Sequence, residues 1–428
     1  MMRPAFVVGV GTSILSLVRA LGRQGVPCWT CCTRRIPGTV SSYARFWRVP
    51  DPQYDERGLI ARIIELAGRV EGRPIVFVAG DHFSQALARH RDRLETVATV
   101  CVASRELVDL LIHKRHFSDW AREQVASFPK STPATAFAPD GPLAFPVVAK
   151  PFHRGFSNAR ALDLPSEKEL HDLRFTLIED AAGWDRYRRA HARLLPHILI
   201  QRYIRGTSAS KFSVGIYASR DSEIKGVFVG RRVRGYPALY GDASLVESSR
   251  VPDLVLAEVA DIVRRLGYAG IAEFEYNQDA ETGEFHLLEI NPRSWGWIGI
   301  TTATDANIPW IAYRDLAGEA LPGVVHCGRP GATKMVLLVR DLANAFLRYR
   351  WNRPDWVLSP RAWRRSLEAE NLVVWEFDRD DLRGSLWCLL VVLQASASYV
   401  RRGLTRNLAA RLGRIGLRLK WLGPQQAD

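Results

Sequence analysis

The sequence contains few cysteines, which argues against a disulfide-stapled or zinc-bound fold. Only six of the 428 residues are cysteines, and three of them are grouped as Cys28, Cys31 and Cys32. Cys28 and Cys31 match a CxxC spacing, but no second pair or histidine cluster accompanies them. We therefore favour small residues on a buried strand over a zinc or redox site, and a reducing interior as the compartment.

Long apolar runs and acidic residues are also scarce. No run reaches the ~20 apolar residues that a membrane-spanning helix requires, and the longest candidate, 386–400, contains Gln394 and several serines. The 59 Lys and Arg outnumber the 45 Asp and Glu, so the formal net charge is +14. This excess favours an anionic partner, and nucleotides, nucleic acid and acidic lipids all qualify.

The N-terminal residues predict a βαβ unit. Apolar residues 6–10 and 26–30 have the pattern of strands, and 15–21 that of the helix between them. Gly9-Val-Gly11 begins like a dinucleotide fingerprint, but Ile14 occupies the place of the third glycine. We expect a Rossmann-like scaffold without a bound dinucleotide. Asp81 follows the apolar run 75–79, and we favour helix capping slightly over ligand contact as its role.

Residues 270–297, GIAEFEYNQDAETGEFHLLEINPRSWGW, predict two strands joined by a polar turn. Side chains alternate along a strand, so Glu273 and Glu275 share one face, and Glu289 and Asn291 share one face of the second strand. Such oxygen ligands suit Mg²⁺. An exposed hairpin would show a similar alternation, but the charged and amide residues here follow a strongly apolar run, where unpaired charge is costly.

The segment LLEINPRSWG resembles the metal-binding signature of ATP-grasp ligases, in the branch similar to carbamoyl-phosphate synthase large subunits and D-aspartate ligases. The resemblance implies that Glu289 and Asn291 hold Mg²⁺ (or Mn²⁺) against the phosphates of ATP. It implies Glu275 as a further metal ligand, with Glu273 in reserve. Arg293 would contact the phosphate or the acyl group.

The same resemblance assigns two lysines and a loop to the phosphates. Residues 145–151, FPVVAKP, predict a buried strand that ends at Lys150, a position that is costly for a lysine unless it faces an anion. Lys114 lies in a predicted helix over 107–122. The loop 153–158 has one glycine, Gly155, and its backbone would cradle phosphate with Ser157 as an added donor.

The strand 197–203, HILIQRY, resembles the hinge that holds the adenine ring in that family. The resemblance implies that Gln201 meets the exocyclic amine, with the backbone of Arg202 and Ile204 beside it. The usual ribose carboxylate is missing, so Ser208 or Ser210 would take its place. Of the nearby arginines, Arg232 is chosen to steady the transferring phosphoryl group, with a plain basic surface as the alternative.

These observations predict a mixed α/β and α+β chain. Residues 1–105 would form a Rossmann-like domain that precedes the ATP-grasp domain of 106–325, with a small lobe at about 130–205 and a large lobe at about 206–325. Residues 326–428 would be a basic extension, partly of amphipathic helix. The 401–420 segment interleaves leucines with arginines, which is typical of helices that lie on anionic membranes, although packing on its own domain is the favoured alternative.

The resemblance implies an ATP-dependent ligase that joins a small carboxylate to an amine through an acyl phosphate, with ATP and Mg²⁺. One alternative is phosphorylation of a small carboxylate in the manner of carbamoyl-phosphate synthase. Another is a non-catalytic nucleotide-binding module associated with a membrane. No recognised nucleic-acid module accompanies the positive charge. We expect a cytoplasmic protein, peripheral to the inner face of the membrane if the basic tail binds lipid.

Overall fold

The computed structural model describes residues 2–152, 169–170, 173, 175–236, 241–321, 323–348 and 356–391. The helices within these residues are α1 (Ser13–Gly22), α2 (Pro37–Val40), α3 (Glu56–Ala67), α4 (Asp81–Arg89), α5 (Arg91–Leu94), α6 (Arg105–Ile112), α7 (Lys114–Gln124), α8 (Ala181–Ala190), α9 (Asp253–Leu266), α10 (Ile308–Leu316), α11 (Leu338–Ala343) and α12 (Pro360–Ser366). Residues 382–391 are also helical.

The strands form three sheets. They are β1 (Ala5–Gly9), β2 (Cys28–Cys32), β3 (Ala44–Arg48), β4 (Ile75–Ala79), β5 (Thr99–Cys101), β6 (Ser131–Pro133), β7 (Val147–Pro151), β8 (Thr176–Ile178), β9 (Ile198–Arg202), β10 (Lys211–Ala218), β11 (Ile224–Tyr236), β12 (Asp242–Ser248), β13 (Gly270–Gln278), β14 (Phe285–Asn291), β15 (Val325–His326), β16 (Thr333–Val336) and β17 (Asn371–Val374).

The first sheet is parallel, with strand order β3-β2-β1-β4-β5, and it confirms the Rossmann-like prediction. Helices cover both faces of such a sheet, which is why β1 is entirely apolar and entirely buried. The strand order reverses between β1 and β4. A β-carbon at Gly9 would overlap the carbonyl group of Ala79, so glycine is needed where these two strands end together.

The second sheet is antiparallel, has the order β6-β9-β7-β8, and forms the small lobe. It has an apolar core of its own, in which Phe137, Trp184 and Ile200 pack together. The small lobe is therefore a separately packed unit.

The third sheet has the order β14-β13-β10-β11-β12-β16-β17, with β15 beside β11, and forms the large lobe. Its apolar residues share two cores with the parallel sheet, as Phe6 with Phe274 and Val7 with Phe228 illustrate. Strands β16 and β17 extend this sheet past the predicted domain limit at residue 325. The domain limits themselves stay a prediction.

The residues that follow β16, at 338–348 and 356–391, pack against both the large lobe and the Rossmann-like domain. Arg234 of β11 makes two hydrogen bonds of 2.8 and 2.7 Å with the buried carboxylate of Asp341. Asp381 reaches the N-terminal domain, where Arg19 donates to it over 2.9 Å. Residues beyond the predicted catalytic region thus join the large lobe to the Rossmann-like domain.

One local prediction needs correction. The helix predicted over 107–122 is two helices, α6 and α7, separated by His113 in an extended conformation. The His113 ring accepts a hydrogen bond from the His116 N–H, and the Phe152 carbonyl accepts one from the Lys114 N–H, so the break places Lys114 at the start of α7.

The cysteines behave as predicted: β2 is buried, and burial raises the pKa of Cys28 to about 12.

Candidate active site

The predicted hairpin exists and brings four polar side chains onto one face of the large-lobe sheet. Strands β13 and β14 are antiparallel, with Glu273 opposite Asn291 and Glu275 opposite Glu289. Asn291 Nδ2 donates to Glu275 Oε1 over 2.8 Å and to Glu273 Oε2 over 3.1 Å. Ser213 on β10 donates to Glu273 over 2.8 Å. The three residues predicted as metal ligands therefore converge, together with the reserve residue Glu273.

The carboxylates in this cluster repel one another. Burial has the largest effect on Glu275, and repulsion from Glu289 and Glu273 adds to it; together they raise the pKa of Glu275 well above its usual range. Lys114 has the opposite effect on Glu289, whose pKa it lowers despite burial. Within the described ranges, no group of three His, Cys, Asp or Glu side chains is arranged to bind one metal ion. A cation here would therefore use the Asn291 amide oxygen as well as carboxylates.

Two predicted lysines face this cluster. Lys114 Nζ lies 3.3 Å from Glu289 Oε2. Lys150, on β7 of the small lobe, donates to Gln201 Oε1 over 2.9 Å. Burial and the nearby charge of Lys114 lower the pKa of Lys150 to about 8, partly offset by Glu289 and Glu275. The lysine side chain therefore lies in the cleft between the two sheets and is electrostatically coupled to the carboxylates.

The predicted adenine hinge lines the same cleft. Gln201 is buried, and its side-chain oxygen is engaged by Lys150. The Arg202 N–H donates to the Lys130 carbonyl over 2.8 Å, and the Ile204 carbonyl accepts from Asn277 Nδ2 over 3.0 Å. Two of the backbone groups that could read a base edge are thus already used within the protein.

Ser208, the predicted ribose contact, lies just after the hinge in the 3₁₀ turn Ser208–Ser210. Its hydroxyl is buried and has no hydrogen-bond partner among the described residues. The loop residues Gly155 and Ser157 lie outside the described residues, so their assignment to the phosphates stays a prediction.

The three neighbouring arginines of β11 differ in their partners. Arg231 forms a 3.0 Å hydrogen bond with Glu247, and Arg234 binds Asp341. Arg232 is buried and donates to the Gly241 carbonyl. Its charge acts on Lys211 in the cleft, which makes it the arginine of the three that is electrostatically coupled to the site.

Arg293 reaches the N-terminal domain. Its guanidinium donates to the carboxylate of Asp81 and, over 3.3 Å, to Asn291 Oδ1. The prediction that Asp81 caps a helix is wrong: Asp81 is the first residue of α4, Gly80 is the N-cap residue, and there is no side-chain capping bond. Asp81 instead orients Arg293, so the carboxyl end of β4 contributes to the candidate site.

Sequence reasoning missed two residues of the cleft, Lys211 and Asn277. Lys211 begins β10 and pairs in register with Asn277 on β13. The alternation of side chains along a strand could have identified Asn277, because it follows Glu273 and Glu275 at intervals of two residues and therefore shares their face. Among the described residues, the cleft on the hinge side is lined by Val148, Lys150, Phe175, Gln201, Arg202, Tyr203, Ile204, Gly206, Thr207, Lys211, Asn277 and Leu288.

Comparison with known proteins shows what this arrangement is similar to. A family model described as "ATP-grasp in the biosynthetic pathway with Ter operon" matches residues 195–336, which run from the hinge strand to β16. No curated protein gives a sequence match. The narrower resemblance to carbamoyl-phosphate synthase large subunits and D-aspartate ligases stays a prediction.

Solved structures with the same fold are distant in sequence. N5-carboxyaminoimidazole synthetase from Staphylococcus aureus has a TM-score of 0.59 and 13% identity, over 82% of this chain and 87% of that one. The biotin carboxylase domain of 2-oxoglutarate carboxylase from Hydrogenobacter thermophilus, solved with MgADP, ADP and bicarbonate, has a TM-score of 0.55 and 14% identity, over 76% and 72%. L-amino acid ligase from Bacillus licheniformis has a TM-score of 0.54 and 12% identity, over 73% and 74%. Residues 195–336 thus match an ATP-grasp family model, and most of the chain shares the fold of these three proteins.

Proposed function

We propose that the protein is an ADP-forming ligase that joins a carboxylate to an amine through an acyl phosphate. The observation that carries the proposal is that two sets of side chains face each other in one cleft. Glu275, Glu289 and Asn291 of the large lobe supply oxygen atoms, and Lys114 and Lys150 supply positive charge near them. Acids that hold a cation and lysines that bind phosphate are both needed to place a magnesium nucleotide between two sheets.

The residues present fit a magnesium or manganese ion. All the donors are oxygen atoms, the type that Mg²⁺ prefers. Burial and repulsion already raise the pKa of Glu275, so this carboxylate lacks the positive charge that would keep it ionised. We propose Glu275, Glu289 and Asn291 as the residues that hold the ion, with Glu273 supporting Asn291. A bound ion would supply charge neutralisation at the phosphates.

The protein groups would then orient the reactants. Lys150 and Lys114 would neutralise nucleotide phosphates, while Gln201 and the Ile204 N–H would meet the base. A carboxylate oxygen of the first substrate attacks the γ-phosphorus of ATP, and the bond to the bridging oxygen of ADP breaks. The amine then attacks the acyl carbon, releases inorganic phosphate and loses a proton to give the amide.

Two arginines are proposed to stabilise the group in transfer. Arg293 is held by Asp81 at the edge of the cluster, and Arg232 is buried beside the cleft. Planar guanidinium groups with fixed donors suit the oxygens of a phosphoryl or carboxylate group. Because Asp81 lies at the carboxyl end of β4, we propose that the carboxylate substrate binds between the Rossmann-like domain and the phosphates.

The test is ADP release measured with MgATP and a panel of amino acids, small carboxylates and bicarbonate. Stimulation that needs both a carboxylate and an amine, with an amide product identified by mass spectrometry, supports the ligase. Stimulation by bicarbonate or one carboxylate without an amine supports phosphorylation alone. ATP binding without turnover in any mixture supports the non-catalytic module and contradicts the ligase.

A second proposal concerns the C-terminal residues: they attach the protein to an anionic membrane. The helical residues 382–391 expose Leu382, Leu386, Leu389 and Leu390, each by at least 45%. The basic segment 401–420 follows in sequence and lies outside the described residues. Exposed apolar side chains followed in sequence by an arginine-rich segment match what a peripheral membrane helix requires. No helix in the described part of the chain is long and apolar enough to cross a bilayer.

Sedimentation with vesicles tests the attachment. We expect binding to vesicles that contain phosphatidylglycerol, no binding to pure phosphatidylcholine, and weaker binding after Leu386→Ser. Leu254→Ser is the matched control, because Leu254 is 81% exposed on α9, away from this helix in sequence. Equal binding by both variants would contradict the proposed surface.

A further inference from the structure

Lys211 is a lysine of the cleft whose ammonium group has no partner among the residues that the structure describes. It is half-buried at the start of β10 and lines the hinge side of the cleft with Lys150 and Gln201. Lys114 has Glu289, and Lys150 has Gln201. The ammonium group of Lys211, by contrast, makes no hydrogen bond or ion pair with any residue that the structure describes, although its backbone N–H donates to the Ser208 carbonyl. An ammonium group in such a place is stabilised only by an anion or by water.

The charges around Lys211 favour an anionic ligand. Burial, and to a smaller extent the positive charges of Arg232 and Lys150, lower the pKa of Lys211 to about 7. The carboxylates of Glu275 and Glu289 act in the opposite direction. These four groups lie on β11, β7, β13 and β14 and surround the lysine from both lobes. Three cations gathered at one part of the cleft repel one another until an anion enters.

Asn277 supplies an independent observation that points to a ligand. It is opposite Lys211 in the β10–β13 pairing and only 5% exposed. Its Nδ2 donates to the Ile204 carbonyl over 3.0 Å, whereas its Oδ1 is buried and has no hydrogen-bond partner among the described residues. An orphaned buried acceptor is costly and rare. A donor group on a bound molecule would satisfy it.

The position of this pair selects the part of the nucleotide that it would touch. Lys211 and Asn277 line the cleft together with the hinge residues. Lys211 also interacts electrostatically with Glu275 and Glu289, which belong to the carboxylate cluster. The base belongs at the hinge and the outer phosphates at the carboxylates, so the ribose and the innermost phosphate lie between them. We propose that Lys211 binds the α-phosphate of the nucleotide and that Asn277 Oδ1 accepts a hydrogen bond from its ribose.

This inference rests on the proposed nucleotide site and adds a second lysine contact to the phosphate group nearest the ribose. Lys150 approaches from the small lobe and Lys211 from the large lobe, so one phosphate group would be held between lysines of both sheets. Lys211 would then distinguish nucleotides from the unphosphorylated nucleoside. Asn277 would not make that distinction, because adenosine and ATP share the ribose.

Equilibrium binding of adenosine, AMP, ADP and ATP to the full chain tests the assignment, by calorimetry with Mg²⁺ present. We expect Lys211→Met to weaken AMP, ADP and ATP by a similar factor, roughly tenfold to a hundredfold for one charge-assisted contact, and to leave adenosine unchanged. Lys211→Arg should retain most of the affinity. Asn277→Leu should weaken all four ligands alike.

Lys225→Met is the matched control, because Lys225 lies on the adjacent strand β11 and pairs with Glu223 over 2.7 Å at the surface. It should bind all four ligands as the wild type does. If Lys211→Met weakens adenosine as much as ATP, or weakens none of them, the α-phosphate contact is refuted while the nucleotide site stands. If the wild-type protein binds no adenine nucleotide, the site and this inference both fail.

Discussion

Replacing Asp381 with alanine should destabilise the whole chain, because this carboxylate joins three separate segments. It accepts hydrogen bonds from Arg19 Nε at 2.9 Å, Ser41 Oγ at 2.9 Å, the Ser42 N–H at 2.7 Å and the Gly384 N–H at 3.1 Å. Its side chain is fully buried. The Asp381→Ala change leaves all four donors without this acceptor.

The magnitude follows from what remains around Arg19. Removing one member of a buried ion pair costs about 3–5 kcal/mol, because the other charge stays buried. Arg19 keeps the Trp375 carbonyl at 2.7 Å and Asp378 at 3.4 Å, so its charge is partly compensated. We therefore expect a loss near the lower limit, about 3 kcal/mol in the free energy of unfolding.

Urea unfolding followed by tryptophan fluorescence measures this loss, and Trp375 reports on the region directly through its bond to the Thr12 carbonyl. Asp380→Ala is the control, since the Asp380 side chain is 54% exposed and should change stability by less than about 0.5 kcal/mol. Burial alone would raise the pKa of Asp381, but the Ser42 N–H and Arg19 lower it overall. The difference between wild type and Asp381→Ala should therefore persist at neutral pH and diminish as the pH falls below ~4. A loss for Asp381→Ala no larger than that of the control would show that Asp381 does not hold these segments together.

Two further substitutions test the candidate site and its support. Asp81→Asn should lower the rate of ADP release about tenfold to a hundredfold without weakening ATP binding, because it releases the guanidinium of Arg293; the exposed Asp92→Asn serves as control, and an equal loss of ATP affinity would point to a general disturbance instead. Gly215→Ala should cost about 2 kcal/mol of stability, because the added methyl group would overlap the buried ring of Trp295. Gly328→Ala meets no neighbouring atom and should be neutral in the same unfolding assay. Wild-type stability of Gly215→Ala would mean that the Trp295 ring can move aside.

The sequence was sufficient where the signal is local. Alternation placed Glu273 and Glu275 on one face, and the apolar run before Glu289 placed the second strand beside them; both features are present in the register of β13 and β14. The lysine at the end of β7 was equally readable, because a buried strand that ends in a charge is unusual. Strand periodicity reports which residues share a face, and that is what these predictions needed.

Contacts between distant segments could not be predicted in this way. Asp81 and Arg293 are 212 residues apart in the sequence. A carboxylate at the start of a helix is already explained by its favourable interaction with the helix N-terminus, so the sequence does not indicate a contact with a distant residue. The break at His113 has no glycine or proline to signal it, since the His113 ring and the Phe152 carbonyl stabilise it. Lys211 is a single lysine at a strand end, and only its surroundings distinguish it from a surface lysine.

The proposed function depends most on the proposal that Glu275, Glu289 and Asn291 hold a divalent cation against the nucleotide phosphates. Electron paramagnetic resonance of Mn²⁺, titrated with the protein and a non-hydrolysable ATP analogue, tests it without knowledge of the acceptor substrate. We expect wild-type protein with the analogue to immobilise Mn²⁺, and Glu289→Gln and Asn291→Ala to lose that signal while keeping the wild-type unfolding midpoint. Undiminished Mn²⁺ binding by both folded variants would contradict the account.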